Sequence, residues 1–176
     1  MKKNWKCIVL ACVVTIVALV LLIIGIVWYS QRGVCHLVPF FPSLVTEIRI
    51  GSEECNYEEF GVMDLSRYKN LKSVVIGDAS YKYVNELKMI GLSKLESVEI
   101  GENSFTQHKN SNGNDPNRHF YLKNCPKLKS LKMGHYSFSD YTMIEIENVD
   151  ALEVIEIGAY SFSYASLELS ILIHNE

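Results

Sequence analysis

An aliphatic ladder closed by glycine returns five times along this chain, and its period limits what the chain can fold into. The first three copies are Val45-Thr-Glu-Ile48-Arg-Ile50-Gly51, Leu71-Lys-Ser-Val74-Val-Ile76-Gly77 and Leu95-Glu-Ser-Val98-Glu-Ile100-Gly101. Leu128-Lys-Ser-Leu131-Lys-Met133-Gly134 and Leu152-Glu-Val-Ile155-Glu-Ile157-Gly158 complete the set. One such repeat cannot bury its own apolar face, so stacked repeats must share a continuous core. A second ladder precedes each of the last four glycines by a constant step: Met63-Asp-Leu65, Leu87-Lys-Met89, Phe120-Tyr-Leu122 and Ile144-Glu-Ile146. Leu167-Glu-Leu169 falls at the same step, with no glycine after it. Apolar–polar–apolar triplets are the period-two pattern of half-buried strands. The expected fold is a solenoid of short β-strands and turns, with two short strands per repeat of ~24 residues.

Further columns keep the same phase. Tyr68, Leu92, Cys125 and Val149 follow the second ladder, and Cys55, Tyr81, Phe105, Phe138 and Phe162 follow the glycine. Cys55 and Cys125 thus fall among core positions, where thiols pack as small hydrophobes. The closing glycine is expected to turn the chain through positive φ, which glycine adopts without steric cost. Asn124 and Asn148, with Gly91 in the same column, suit a left-handed turn.

Several columns together resemble the leucine-rich repeat of BspA-type surface antigens. The resemblance rests on Tyr136-Ser-Phe138 followed by Glu145-Ile-Glu-Asn148-Val-Asp-Ala-Leu152, and on Phe120-Tyr-Leu-Lys-Asn-Cys-Pro-Lys-Leu128-Lys-Ser-Leu131. It covers roughly residues 44–170. It implies a leucine-rich repeat solenoid displayed at a cell surface, binding proteins of a host or a neighbouring cell. The family often has proline where glycine closes the ladder here, and this array is short.

Ahead of the repeats, residues 7–29 (Cys7 to Tyr29) form an apolar run without charge or proline. As a helix it would be roughly 35 Å long, enough for a ~30 Å hydrocarbon core. Lys2, Lys3 and Lys6 precede the run and only Arg32 follows closely, so the positive-inside rule puts the N-terminus in the cytoplasm. The expected organisation is a cytoplasmic N-terminus at 1–6 and a single-pass transmembrane signal-anchor helix at 7–29. A juxtamembrane segment and N-terminal cap at 30–43 then lead to a repeat domain at 44–176, outside or lumenal.

Of 17 basic residues, Lys2, Lys3, Lys6 and Arg32 lie before residue 33, leaving 13 against all 20 acidic residues. This acidic balance argues against nucleic acid, which wants a basic face. Cys35, Cys55 and Cys125 are an odd set outside the apolar run, so a Cys35–Cys55 bridge is one open pairing. No Asn-x-Ser/Thr sequon occurs.

Candidate partner-binding residues fall in two groups. In the first ladder the second position reads Thr46, Lys72, Glu96, Lys129, Glu153; the position between the last two aliphatics reads Arg49, Val75, Glu99, Lys132, Glu156. Stacked about 4.8 Å apart, such alternating signs attract one another, and they present a stripe to a partner. The second group lies in an insertion at 106–119, rich in Asn and Gly, which offers His108, Lys109, Asn112, Arg118 and His119 to an acidic protein or a glycan.

Sites for chemistry are absent as motifs. Asn110-x-Asn112-x-Asn114 has one carboxylate, Asp115, and Pro116 where a calcium loop must coordinate through backbone. The five histidines form no i,i+4 pair, and there is no nucleophile elbow, P-loop or dinucleotide fingerprint. The expected function is recognition or adhesion, with neither catalysis nor a cofactor. The alternative is a self-associating module or a truncated copy of a larger repeat protein, joined through the unfilled sixth repeat at 167–173.

Overall fold

A computed structural model of the chain describes residues 12–23, 35, 42–109, 116–163 and 165–170. The chain divides into two units, Met1–Val38 and Pro39–Glu176.

In the first unit, residues 12–23 form an α-helix, α1, in which the Thr15 hydroxyl donates to the Cys12 carbonyl at 2.9 Å. The twelve described residues rise ~18 Å, against the ~30 Å of a hydrocarbon core. Among the described residues no helix is long and apolar enough to cross a membrane. This corrects the expected transmembrane helix at 7–29. It also corrects the single-pass membrane localisation, with the N-terminus cytoplasmic and the repeat domain outside or lumenal. The expected segment 1–6 and both ends of the apolar run lie outside the described residues.

The second unit opens with a 3-10 turn at Pro42–Leu44 and then alternates between two sheets. In chain order the strands are β1 (Glu47–Ile50), β2 (Val62–Asp64), β3 (Ser73–Ile76), β4 (Glu86–Ile90) and β5 (Ser97–Ile100). They continue as β6 (His119–Lys123), β7 (Ser130–Met133), β8 (Met143–Glu147), β9 (Val154–Ile157) and β10 (Ser166–Ser170). Odd strands form one sheet in the order β1-β3-β5-β7-β9, and even strands the other, β10-β8-β6-β4-β2. Every pairing is parallel.

The fold is therefore a parallel two-sheet α/β arrangement with one α-helix among the described residues. It is not the expected leucine-rich repeat solenoid preceded by a transmembrane helix. Each copy of the second ladder, one of the two short strands expected per repeat, pairs with its own kind over three to five residues, so the even strands build a full second sheet.

Register survives the insertion. Glu86 faces His119 and Ser97 faces Ser130, so the extra residues leave both sheets undisturbed. Alternation then buries one side chain in two: Val74, Val98 and Leu131 in the odd sheet, and Leu87, Phe120 and Ile144 in the even one. The aromatic column stacks as expected from its spacing. Tyr81 lies 5.5 Å from Phe105, Phe105 4.7 Å from Phe138, and Phe138 5.0 Å from Phe162.

The closing glycines are explained differently from the expectation. Only Gly91 has positive φ among the described glycines, at +66°. Left-handed residues instead come two and four places after each closing glycine (Glu53 and Cys55, Ala79 and Tyr81, Asn103 and Phe105, Tyr136 and Phe138, Tyr160 and Phe162), and Asn124 and Asn148 are left-handed as their column with Gly91 suggests. Close approach is what demands glycine. A Cβ on Gly77 would lie 2.6 Å from the Gly51 carbonyl carbon, and one on Gly134 would lie 2.7 Å from that of Gly101. Backbones stack directly on one another here, with no room for a side chain between them.

A serine three places after the glycine completes each junction. Ser80 donates to the Gly51 carbonyl (2.8 Å), Ser104 to Gly77 (2.7 Å), Ser137 to Gly101 (2.6 Å) and Ser161 to Gly134 (2.7 Å). The first repeat has Glu54 there, and its carboxylate accepts from the Gly51 amide at 2.9 Å instead. Ser104 also accepts from the Ser80 amide at 3.3 Å. Ser104→Ala leaves a carbonyl and an amide unpaired in a buried position, so a loss of about 2 kcal/mol in urea unfolding is expected. Ser163→Ala, which removes an exposed bond to the Tyr160 carbonyl, is expected to lose less than about 0.5 kcal/mol in the same assay.

Candidate recognition surface

The first group of sequence candidates comes together as one row. Backbone amides link it in series: Lys72 donates to Thr46 (2.8 Å), Glu96 to Lys72 (2.8 Å), Lys129 to Glu96 (2.9 Å) and Glu153 to Lys129 (2.9 Å). All four side chains are exposed. The adjoining row aligns Arg49, Val75, Glu99, Lys132 and Glu156 across β1, β3, β5, β7 and β9. Lys132 and Glu156 form an ion pair at 2.9 Å. Both are well exposed, so the pair stabilises by less than about 1 kcal/mol. Arg49 turns instead to Glu47 on its own strand, at 2.7 Å.

The insertion group separates. His108 and Lys109 are exposed, and Asn112 lies outside the described residues. The Lys109 ammonium sits 5.5 Å from the Tyr136 ring centroid, and Tyr136 stacks on Tyr160 at 4.8 Å. The half-buried His119 imidazole bridges the Tyr121 hydroxyl (3.0 Å) and the Pro116 carbonyl (2.7 Å).

Arg118 is buried at 1 % exposure and faces inward. Its guanidinium pairs with Asp140 at 3.3 Å and donates to the carbonyls of Phe105 (2.9 Å), Val84 (3.2 Å) and Lys82 (3.3 Å). It also lies 4.9 Å from the ring centroid of Tyr141, whose hydroxyl donates to Val84 at 2.7 Å. Asp140 in turn accepts from the amides of Gln107 (3.0 Å) and His108 (2.9 Å). This network anchors both ends of the insertion; Arg118 presents nothing to a partner. Desolvation pushes the Tyr141 hydroxyl far above its ordinary range, so it stays protonated and donating.

The even sheet carries a second polar set that sequence reasoning missed. Tyr121 lies between Lys88 and Lys123, with ring-to-ammonium distances of 5.9 and 5.7 Å. Lys123 bonds Glu145 and, at 3.1 Å, Glu147. The hydrogen bond that Lys123 donates to Glu145 is the main reason its pKa is raised; for Lys88 the corresponding bond is donated to Glu86. The signal was present as the polar middle residue of each second ladder, aligned by the same period as the first.

Cys35 and Cys55 are both disulfide-bonded. Cys125 is a free, fully buried thiol, and burial raises its pKa. A raised thiol stays protonated above the pH at which an exposed cysteine ionises. In a Cys7→Ser, Cys12→Ser background, Cys125 is expected to resist thiol reagents at pH 8 until the fold is denatured. Prompt labelling of the native protein would contradict its burial.

Among the described residues, no group of three or more histidine, cysteine and acidic side chains could hold a metal ion. Comparison with protein-family models, curated proteins and solved structures finds no match.

Proposed function

We propose that the chain is a binding module that recognises a protein partner through the outward face of the odd-strand sheet. The observation that carries this reading is the row Lys72, Glu96, Lys129, Glu153, whose charges alternate in a backbone-bonded series. A partner strand or helix with the opposite alternation would meet it in one register only, because a slip of one step opposes like charges. Such a surface confers selectivity more than affinity. The inward-facing Arg118 and the protonated thiol of Cys125 favour binding over catalysis. The acidic balance of residues 33–176 disfavours nucleic acid as the partner.

A swap of signs separates recognition from folding. Lys72→Glu, Glu96→Lys, Lys129→Glu and Glu153→Lys together keep the alternation within the row but invert what a partner meets. Stability is expected to change by less than about 1 kcal/mol. Any partner captured by the native chain is expected to be lost by the swapped one. Equal capture by both would sink this reading.

A further inference from the structure

The two ends of the odd sheet differ in finish. On β1, Ile48 and Ile50 are 5 % and 3 % exposed, whereas on β9 the equivalent Ile155 and Ile157 are 48 % and 50 % exposed. Tyr160, last in its column, is 63 % exposed. In every earlier repeat the residue two places after the glycine donates its amide to the next repeat, as Tyr136 does to Ala159 at 3.0 Å. Among the described residues nothing answers the Tyr160 amide, nor the carbonyls of Glu153 and Ile157 at which the next repeat would bond. Both charge rows also stop on an acid at this edge. Within the rows Lys129 follows Glu96 and Lys132 follows Glu99, but Glu153 and Glu156 have no strand beyond them among the described residues.

We propose that the β9 edge is a docking site for an extended, basic segment of another protein chain, added as one more parallel strand. The segment's chemistry follows from what the edge leaves open. It needs aliphatic residues to cover Ile155 and Ile157, and Lys or Arg at the two positions beside Glu153 and Glu156. It needs glycine where its backbone meets Gly158, because each closing glycine already lies against the backbone of the one before. Main-chain bonding supplies the affinity and the alternate side chains supply the selectivity, as in other strand additions.

A second copy of this chain fits the edge poorly. Two β9 strands facing each other would set Glu153 and Glu156 against their own kind. A copied β1 already has its aliphatic residues covered. It is also followed by Glu54, an acceptor, at the position where a serine would donate to the Gly158 carbonyl. This inference concerns the edge of the sheet rather than its outward face and shares with that reading only Glu153.

The chain itself contains a suitable probe. Residues 128–138, Leu-Lys-Ser-Leu-Lys-Met-Gly-His-Tyr-Ser-Phe, include β7, which lies parallel to β5 with Lys129 and Lys132 following Glu96 and Glu99. Fluorescence anisotropy of that labelled peptide against the full chain is expected to show saturable binding. The Lys129→Glu/Lys132→Glu peptide and the Gly134→Ala peptide are each expected to bind about tenfold more weakly or worse. Glu153→Lys/Glu156→Lys in the full chain is expected to reverse the charge preference. Equal binding of native and charge-reversed peptides would overturn the proposal, as would no binding at all. A concentration-dependent dimer abolished by Glu156→Lys would assign the edge to a second copy instead.

Discussion

Gly101→Ala and Gly134→Ala are each expected to destabilise the fold by about 3 kcal/mol, at the upper end of overpacking costs, while Gly51→Ala costs under about 1 kcal/mol. The three glycines occupy the same place in their repeats, so local propensity predicts equal effects. What differs is the neighbour. A Cβ on Gly101 would lie 2.6 Å from the Gly77 carbonyl carbon, and one on Gly134 would lie 2.5 Å from the Glu102 amide nitrogen. A Cβ on Gly101 would also meet the Asp78 carboxylate, but at both sites backbone fixed by the parallel ladders lies under 3 Å away and cannot yield without parting two strands. At Gly51 the nearest atoms belong to the Glu54 carboxylate, 3.0 Å away, and a glutamate can change rotamer. Urea midpoints of the three variants, read with their m-values, check the expectation. Similar losses in all three would mean that the glycines serve a turn, as sequence reasoning supposes, and not a close approach.

Arg118→Met is expected to lose about 3–5 kcal/mol, the usual result of leaving one member of a buried ion pair alone. The change strands Asp140 at 3 % exposure and removes donors from the carbonyls of Lys82, Val84 and Phe105. Arg118→Lys is expected to recover little, because one ammonium cannot reproduce a planar fork of five donors. Asp140→Asn is the milder change. Its side-chain oxygen still accepts from Gln107 and His108, and only the charge on Arg118 goes unmatched. The ordering Arg118→Met worst, Arg118→Lys next and Asp140→Asn least is the informative outcome in chemical denaturation. Near-native stability of Arg118→Met would contradict the anchoring role and return Arg118 to the surface group.

Much of the repeat domain was legible because its strands obey period two and its repeats keep phase. Ile76, Ile100 and Met133 are buried where the ladder puts them, and Phe105 and Phe138 stack where the column puts them. Two strands per repeat were expected, but a three-residue ladder such as Met63-Asp-Leu65 shows a strand more plainly than it shows its pairing partner; it pairs with its own kind in the next repeat and so builds the even sheet. The glycine was misread for a similar reason. Positive φ is a property of one residue, whereas close approach belongs to two repeats. Even so, serine at the same offset in four repeats marked a tight junction there.

Arg118 looked like a surface cation because its neighbours in sequence are polar. Its fate was set by Asp140, 22 positions away in the next repeat, and by carbonyls left free where the insertion leaves the stack. The apolar run at 7–29 met every compositional test for a membrane span, yet the described helix covers only residues 12–23.

Distances between spin labels on the outward face test the stacking most directly. In a Cys7→Ser, Cys12→Ser background, Arg49→Cys and Glu156→Cys place labels on β1 and β9, four strand steps apart in one row. The parallel, in-register sheet predicts a label separation near 19 Å, four steps of about 4.8 Å each. Moving the first label to Val75→Cys, three steps away, should shorten it by about one step. A separation that ignores the number of intervening strands, or one well beyond 30 Å, would contradict the parallel stack on which the proposed recognition surface depends.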